Sequence, residues 1–535
     1  MDTVGQWIAS YLKRRDIDTL FTLTGGHIFP LLDGSLDAGI RVIDTRHEQA
    51  AAFAAEGWAL RTGRAGAYVV TAGPGFVNAI SGLAHASVTL SPTLCIAGAS
   101  PVAEDDKGAP QELEQLRVAE VYARYAKTVR QTDRVPQYIE AAFQHMRGPT
   151  PGPAFLEIPQ DVLYKPLAED APVGFGPRPT PRAGGDPSDV ERAAALLRGA
   201  ERPAVVIGGG GFWSGAASAL EAFAEQTALP VFTRNAARGL LPDEHPQCYG
   251  GSPGLGVFKS DLVLVIGSRL NATFYYGQFA EGTRVIQVDC NAAALGDNRG
   301  IDLGICGDAR IVLEQLTAAL DGYRAPRDWI AALDAAVQKR KAKFAAGYHA
   351  ASTPIHPMRL LHEIDSFAAS VDATITVDGG DIGVAAARHL HANRPGAQLS
   401  NASILGSLGP GLPFAIGAKA AAPDDVVICV TGDGAFGIGA MEIDTSVRLD
   451  LPFICVIGND QSWGMIERSQ SSLFGEDRLV AAKLGDRPYE KMVEALGGYG
   501  ERVEDPEQIR PALERARHSG RAACLNVMLD PKLTG

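Results

Sequence analysis

The sequence predicts an α/β protein made of three doubly wound parallel-sheet domains. Three observations carry this. Short apolar runs alternate with helical patterns along the chain. Runs such as Val426 to Val430 are apolar throughout, as expected of parallel strands covered on both faces. Two irregular stretches divide the alternation into three blocks, and a length of 535 residues leaves room for three or four domains.

The first block covers residues 1–165. It opens on an amphipathic helix, with Val4, Trp7, Ile8, Tyr11 and Leu12 on one face and Lys13, Arg14 and Arg15 at its end. That pattern reads as a folded helix and not as an export signal. Ala67–Ala72 and Thr93–Gly98 are strand candidates. A linker from Gly174 to Asp186 is too rich in Pro and Gly to be regular. The middle block, 187–325, offers strands at Ala204–Gly208, Leu262–Gly267 and Arg284–Asp289. A charged, Ala-rich helix near 327–346 leads to a second linker around Ser352–Pro357. The last block, 358–535, has strand candidates at Ile375–Asp378, Val426–Gly432, Phe453–Gly458 and Ala523–Leu529.

Composition narrows the function classes. Hydrophobic residues make up 46% and charged residues 21%, so the chain buries a core and is not disordered. A net charge of −13 gives no general affinity for phosphate backbones and argues against nucleic acid as a partner. No run of 18 apolar residues occurs, so no membrane span is expected. The seven cysteines lie far apart, several inside strand-like runs. They read as buried thiols of a cytoplasmic protein.

The chemistry is concentrated in Val430-Thr431-Gly432-Asp433-Gly434-Ala435-Phe436-Gly437 and Gly458-Asn459-Asp460-Gln461-Ser462. The first segment reads as a strand, a Gly-Asp-Gly turn and a helix running toward Arg448. Glycines admit a ligand close to the backbone, and a helix N-terminus favours an anion. Asp433 supplies a hard oxygen at the strand end. If the two strands are neighbours, Asp460 lies at the same carboxyl edge, where open α/β sheets bind ligands. Two carboxylates and a backbone carbonyl hold Mg²⁺ well.

This paired spacing resembles the signature of the thiamine diphosphate enzymes. The resemblance implies Asp433, Asp460 and the carbonyl of Ser462 as metal ligands. Asp460 stands where Asn is commoner, and Ala435 where a Ser often touches the diphosphate. Two more motifs are similar to the same family. Ile43 to Ala51 contains Arg46-His47-Glu48, and Thr71-Ala72-Gly73-Pro74-Gly75-Phe76-Val77-Asn78 matches a T-x-G-P-G-x-x-N loop. By resemblance Glu48 is the carboxyl that meets the aminopyrimidine N1′. There it promotes the imino tautomer that deprotonates the thiazolium. A largely desolvated carboxyl suits that role. In Ile404 to Pro413, Leu408 would prop the cofactor in its bent form and the carbonyl of Gly406 would accept its amino group. Gly73, Asn78, Gly432, Gly434, Ala435, Trp463, Gly464 and Met465 complete the implied cofactor-binding set. The family also implies a homodimer or homotetramer, with Glu48 of one subunit meeting the diphosphate site of another.

Finer motifs resemble the acetolactate synthase/benzaldehyde lyase branch. Thr24-Gly25-Gly26-His27-Ile28 looks like a benzaldehyde lyase loop that would make His27 an acid–base group. Gln111 is the favoured second side chain of that pocket, with Gln115 as the alternative. Met465 is a larger residue than benzaldehyde lyase has there and would disfavour bulky aromatic donors. The Trp that acetolactate synthases use nearby is missing, and Gly267-Ser268-Arg269-Leu270-Asn271 is closer to the 2-hydroxyacyl-CoA lyases. The expected activity is a thiamine diphosphate- and Mg²⁺-dependent lyase or carboligase acting on 2-ketoacids, aldehydes or 2-hydroxy ketones. The alternatives are a 2-hydroxyacyl-CoA lyase or 2-ketoacid decarboxylase, an inactive regulatory subunit of the same fold, and a flavin or nicotinamide oxidoreductase. Gly208 to Gly211 resembles a dinucleotide turn without the full fingerprint, so a structural turn is favoured over FAD or ADP in the central domain. The segment Ser469–Arg487 is expected to close over the site.

Overall fold

The computed structural model describes residues 3–167, 180–250, 254–400 and 404–533. Residues 174–179 of the first linker lie outside the described residues. Its remainder is irregular chain up to Asp186, which caps the next helix by accepting the Ser188 N–H.

Three sheets, all parallel, organise the chain. The first holds β1 Thr19–Leu23, β2 Arg41–Asp44, β3 Gly66–Val70, β4 Thr93–Ala99, β5 Tyr125–Thr128 and β6 Ala154–Pro159, in the order β2-β1-β3-β4-β6-β5. The second holds β7 Pro203–Ile207, β8 Val231–Thr233, β9 Leu262–Ile266, β10 Arg284–Asp289 and β11 Leu303–Cys306, in the order β11-β10-β9-β7-β8. The third holds β12 Thr374–Val377, β13 Gln398–Ser400, β14 Val427–Gly432, β15 Ile454–Asn459, β16 Tyr499–Val503 and β17 Ala523–Met528. Its order, β13-β12-β14-β15-β17-β16, repeats that of the first sheet.

Each of the nine apolar runs read as a strand is an interior strand of its sheet. Interior parallel strands are covered on both faces and therefore need continuous apolar sequence. Three of the edge strands look different. Tyr499-Gly500-Glu501-Arg502-Val503 is half exposed along most of its length, and β2 and β5 are mixed in the same way. Polar edges of this kind also discourage pairing with other chains.

Each sheet has its own core. Ile96 and Leu156 pack with Val4, Ile8 and Leu12 of helix Val4–Arg14, whose first turn is closed by a capping box between Thr3 and Gln6. Val206, Val263 and Val285 pack with Trp329 and Leu333 of helix Arg327–Tyr348. Ile428, Val430 and Val456 pack with Leu361, Ile364 and Phe367. Burying one such aliphatic side chain contributes roughly 1.5–3 kcal/mol.

By compactness the chain forms two units. One is Met1–Thr180 with Leu412–Asp424 and Gly439–Phe453; the other is Pro181–Gly411, Asp425–Ile438 and Ile454–Gly535. In the first unit, residues 412–424 lie tight against helix Glu48–Thr62. A Cβ on Gly57 would come within 2.6 Å of the Phe414 backbone, and one on Gly417 would overlap the Ala54 carbonyl.

Two expectations change. The sequence predicts one helix from Gly434 to Arg448, whereas the structure has two, Asp433–Gly439 and Glu442–Arg448. Gly437 and Gly439 weaken the first, and the second is held by the first unit. Cys95, Cys429, Cys455 and Cys524 are buried, but Cys290 and Cys306 are exposed at the ends of β10 and β11. The segment expected to close over the site is helical over its first part, within helix Gly464–Phe474. Its later part folds back, with the Leu484 N–H donating to the Gln461 carbonyl and the Trp463 N–H to that of Ala482. The run Gly208 to Gly211 is explained by packing: Gly210 lies so close to Gly267 that a Cβ would meet its Cα at 2.7 Å. No helix among the described residues is long and apolar enough to cross a membrane.

Candidate active site

In the first sheet the chain leaves β1 for β2 on one side and returns to β3 on the other. The carboxyl ends of β1 and β3 therefore flank the crevice that opens where strand order reverses. His27 follows β1 in the short turn Gly26–Ile28. Thr71 follows β3, and Glu48 begins the helix after β2.

His27 Nδ1 lies 3.0 Å from Thr71 Oγ1, and Thr71 Oγ1 lies 3.3 Å from Gln111 Oε1. The structure thus brings His27 and Gln111 together through a threonine that the sequence reading did not single out. Burial lowers the His27 pKa, so the ring is neutral near pH 7. Gln111 adopts a left-handed backbone (φ 63°) and is packed on Gly73, where a Cβ would meet the Gln111 carbonyl at 2.7 Å. Gln115 is fully engaged elsewhere. It accepts the Gly73 N–H and donates to the Gly98 carbonyl and to Glu157, which ties the Gly73 loop to β4 and β6. Of the two glutamines, Gln111 faces the His27 cluster.

Glu48 is 5% exposed and accepts a hydrogen bond from Asn78 Nδ2 at 3.0 Å. Gly75 stands between Glu48 and Thr71: a Cβ there would lie 2.8 Å from Thr71 Cγ2 and 3.6 Å from Glu48 Oε1. The turn before Glu48 is held from below by Glu442, a buried carboxylate that accepts the Arg46 N–H. Burial, the largest influence, pushes the Glu442 carboxyl up to about 7. Arg448 and Asp444 add ion pairs to Asp44 and Arg46. Nothing local in the sequence flags Glu442, because its partner lies some 400 positions away.

The remaining predicted residues lie in the second unit, at the carboxyl edge of the third sheet. β14 and β15 pair with Gly432 opposite Gly458, which places Asp433 and Asp460 side by side. Asp433 is 2% exposed and its Oδ2 has no hydrogen-bond partner among the described residues. Burial, and then the charge of Asp460, push the Asp433 carboxyl up to about 7. Burial also raises Asp460, whose Oδ1 accepts the Ser462 N–H at 3.2 Å. Glycines make the turn compact. The Trp463 ring occupies the place of a Gly434 side chain, and a Cβ on Gly464 would overlap Asp460 Oδ2. Ala435 is buried beside them.

Gly406 (φ 66°) is exposed and Leu408 half-buried in the loop before helix Gly411–Ala421. That loop is anchored by Asp378 at the end of β12, whose carboxylate accepts the Gly409 and Gly411 N–H groups at 2.9 and 2.8 Å. Asp378 is a further site-shaping residue absent from the sequence reading. Met465 is 44% exposed and borders a cavity of 560 Å³ shared with Asp381, Arg388, Arg468, Ser469 and Leu473. Arg468 is paired with Asp381.

Two adjacent carboxylates, Asp433 buried with an orphaned oxygen and Asp460 half-buried, fit a divalent cation. Without one, both charges face each other in a poorly solvated turn. The donor set is all oxygen, as a hard ion requires.

Known proteins resemble this chain along nearly its whole length. Residues 2–118 match the model for the thiamine pyrophosphate enzyme N-terminal TPP binding domain. Residues 190–316 match the central domain and 378–527 the C-terminal TPP binding domain. A probable acetolactate synthase of Mycobacterium bovis is 35% identical over 536 residues, covering 99% of this chain and 96% of that protein. The 2-hydroxyacyl-CoA lyase 2 of Bos taurus is 30% identical over 570 residues, covering 98% and 90%. A probable acetolactate synthase large subunit of Methanocaldococcus jannaschii is 30% identical over 543 residues, covering 98% and 91%.

Proposed function

The chain belongs to the thiamine diphosphate-dependent enzymes of the acetolactate synthase-like family, and from that premise we propose that it is a Mg²⁺-dependent lyase or carboligase of the benzaldehyde lyase-like kind. Its substrates are 2-ketoacids, aldehydes or 2-hydroxy ketones. The observation that carries this reading is the juxtaposition of His27, Thr71 and Gln111 beside Glu48, an acid–base cluster suited to a carbonyl and its adjacent hydroxyl.

When bound, thiamine diphosphate supplies a nucleophilic carbon and an electron sink for the carbanion left by breaking a C–C bond next to a carbonyl. The residues of this chain do the rest. Asp433, Asp460 and the Ser462 carbonyl would hold Mg²⁺, and the backbone around Gly432, Gly434, Ala435, Trp463 and Gly464 would shape the diphosphate end. Glu48, shielded from water and oriented by Asn78, exchanges a proton with the aminopyrimidine nitrogen. Gly73 keeps the Thr71 to Asn78 loop compact, and the Gly406 carbonyl and Leu408 would meet the pyrimidine end of the cofactor. His27 takes or gives a proton at the substrate hydroxyl, with Gln111 joined to it through Thr71. Met465 limits the size of the donor.

A homodimer or homotetramer with active sites between subunits, domain limits of 1–165, 187–325 and 358–535, and a cytoplasmic location complete the proposal. The test is a product screen with thiamine diphosphate and Mg²⁺ in which pyruvate, benzoin, benzaldehyde, formaldehyde and a 2-hydroxyacyl-CoA are offered separately. Acyloin formation or cleavage is the expected result; turnover of the thioester alone would replace this reading. A 2-hydroxyacyl-CoA lyase is the second reading, and one observation favours it. The cavity beside Met465 is bordered by Arg388, whose guanidinium adds to the positive field of Arg234 and Arg340, a setting suited to phosphate groups.

A further inference from the structure

We infer that Thr71 is a positioning residue that fixes the tautomer of His27, so that the neutral imidazole carries its proton on Nδ1 and offers Nε2 as the base. The inference rests on the proposed acid–base role of His27 only for its kinetic consequence; the tautomer itself follows from the hydrogen-bond chain.

A threonine hydroxyl has one proton to give and lone pairs to receive with. Thr71 Oγ1 lies within reach of two groups, Gln111 Oε1 at 3.3 Å and His27 Nδ1 at 3.0 Å. The Gln111 carbonyl oxygen only accepts, so the hydroxyl proton goes there. The hydroxyl oxygen can then only accept from His27, and the proton in that bond must come from Nδ1. A neutral ring has one N–H, so Nε2 keeps its lone pair. Burial of His27 lowers its pKa and makes the neutral ring the relevant form, which is when the choice of tautomer decides whether Nε2 is donor or acceptor.

Thr71 and His27 are sterically locked, and the Gln111 backbone is held against Gly73. A Cβ on Gly25 would lie 2.5 Å from Thr71 Cβ, and one on Gly75 would lie 2.8 Å from Thr71 Cγ2. Thr71 is 7% exposed, so its β-branched side chain has no room to rotate its hydroxyl away. A Cβ on Gly98 would overlap His27 Cβ, and Gly73 receives the Gln111 backbone. β1 and β3 are paired, with Leu23 opposite Val70, so the backbones that carry His27 and Thr71 share one rigid strand pair.

The test is nitrogen NMR of the full-length holoenzyme labelled on histidine, with the His27 signals identified by their loss in His27→Ala. A pyrrole-type Nδ1 and a pyridine-type Nε2 near pH 8 are expected, and Thr71→Val should abolish this bias while Thr71→Ser keeps it. In steady-state assays Thr71→Val should lower kcat by at least about 10-fold with KM little changed, as expected when a catalytic imidazole loses its tautomer. Thr71→Ser should restore the rate, and Thr71→Val should add nothing in a His27→Ala background. An Nε2–H tautomer in the unmodified enzyme overturns the inference, as does an equal loss of rate from Thr71→Val with and without His27. Unchanged turnover in His27→Ala would instead remove the acid–base role of His27, and the NMR result would still decide the tautomer.

Discussion

Asp433 and Asp460 stand beside each other because Gly432 of β14 is in register with Gly458 of β15, and each carboxylate lies just past that pair. Burial holds the Asp433 carboxyl up at about 7, with the Asp460 charge as the second cause. Two facing carboxylates in a poorly solvated turn, one of them buried, oppose folding until a cation joins them. Asp433→Asn should therefore raise the melting temperature of the cofactor-free protein, by about 2–4 °C. It should also abolish the further rise that Mg²⁺ and thiamine diphosphate give the unmodified protein. Differential scanning fluorimetry with and without both additions reads the two effects. A variant that still gains full stability from them would remove Asp433 from the metal site.

Glu48 is enclosed at the start of its helix and hydrogen-bonded by Asn78. Glu48→Gln keeps the shape and one acceptor for Asn78 but removes the proton relay. Turnover should fall by at least about 10³-fold while circular dichroism and the melting temperature hold. Substantial residual activity would assign the relay elsewhere.

His27→Ala should slow ligation or cleavage by about 10²-fold, the ordinary contribution of one general acid–base group. Binding of thiamine diphosphate, followed by tryptophan fluorescence, should stay within a factor of a few. Unchanged rates would make His27 structural.

Gly98, in β4, faces His27 so closely that any side chain would overlap its Cβ. Gly98→Ala should cost about 1–3 kcal/mol of stability, a usual figure for overpacking. It should also lower kcat by displacing the imidazole. Urea denaturation and steady-state kinetics measure the two parts, and an unaffected kcat would show that the His27 position is not critical.

His389 supplies a pH dependence of its own. Its pKa is held down to about 4, by burial first and then by the guanidinium groups of Arg340 and Arg388. The unfolded chain protonates this group near 6.5, before the folded one does. Stability present above pH 6.5 is therefore lost as the pH falls from 6.5 toward 4. The group is partly solvated, so the loss is on the order of 2 kcal/mol after screening. His389→Gln should flatten the decline in urea midpoint between pH 7 and 4.5; an identical slope would place the acid sensitivity elsewhere.

The nine interior strands read from the sequence were legible because each must bury both faces, and a continuous run such as Val427 to Val430 is the direct imprint of that requirement; β1 and β6, interior as well, were not read. Edge strands like Tyr499–Val503 left no such imprint, since one side of each meets solvent. The chemistry-bearing residues that lie on short motifs, Glu48, Asp433 and Asp460, were legible for a similar reason. Glycine turns at strand ends compress the signal into a few adjacent positions.

The sequence by itself determined the three-sheet architecture, the family and the residue types of the candidate site. Tertiary structure decided which side chains meet. Thr71 acquires its place between His27 and Gln111 only because β1 and β3 are neighbours. Asp378 anchors the Gly409 to Gly411 turn from the end of β12, and Glu442 supports the turn before Glu48 from a segment some 400 residues away. Alternating strands and helices encode how much of each segment is buried, but not the order in which strands pair. A polar group whose partner is set by that order carries no local mark in the sequence, because its hydrogen bond exists only once the sheets have formed.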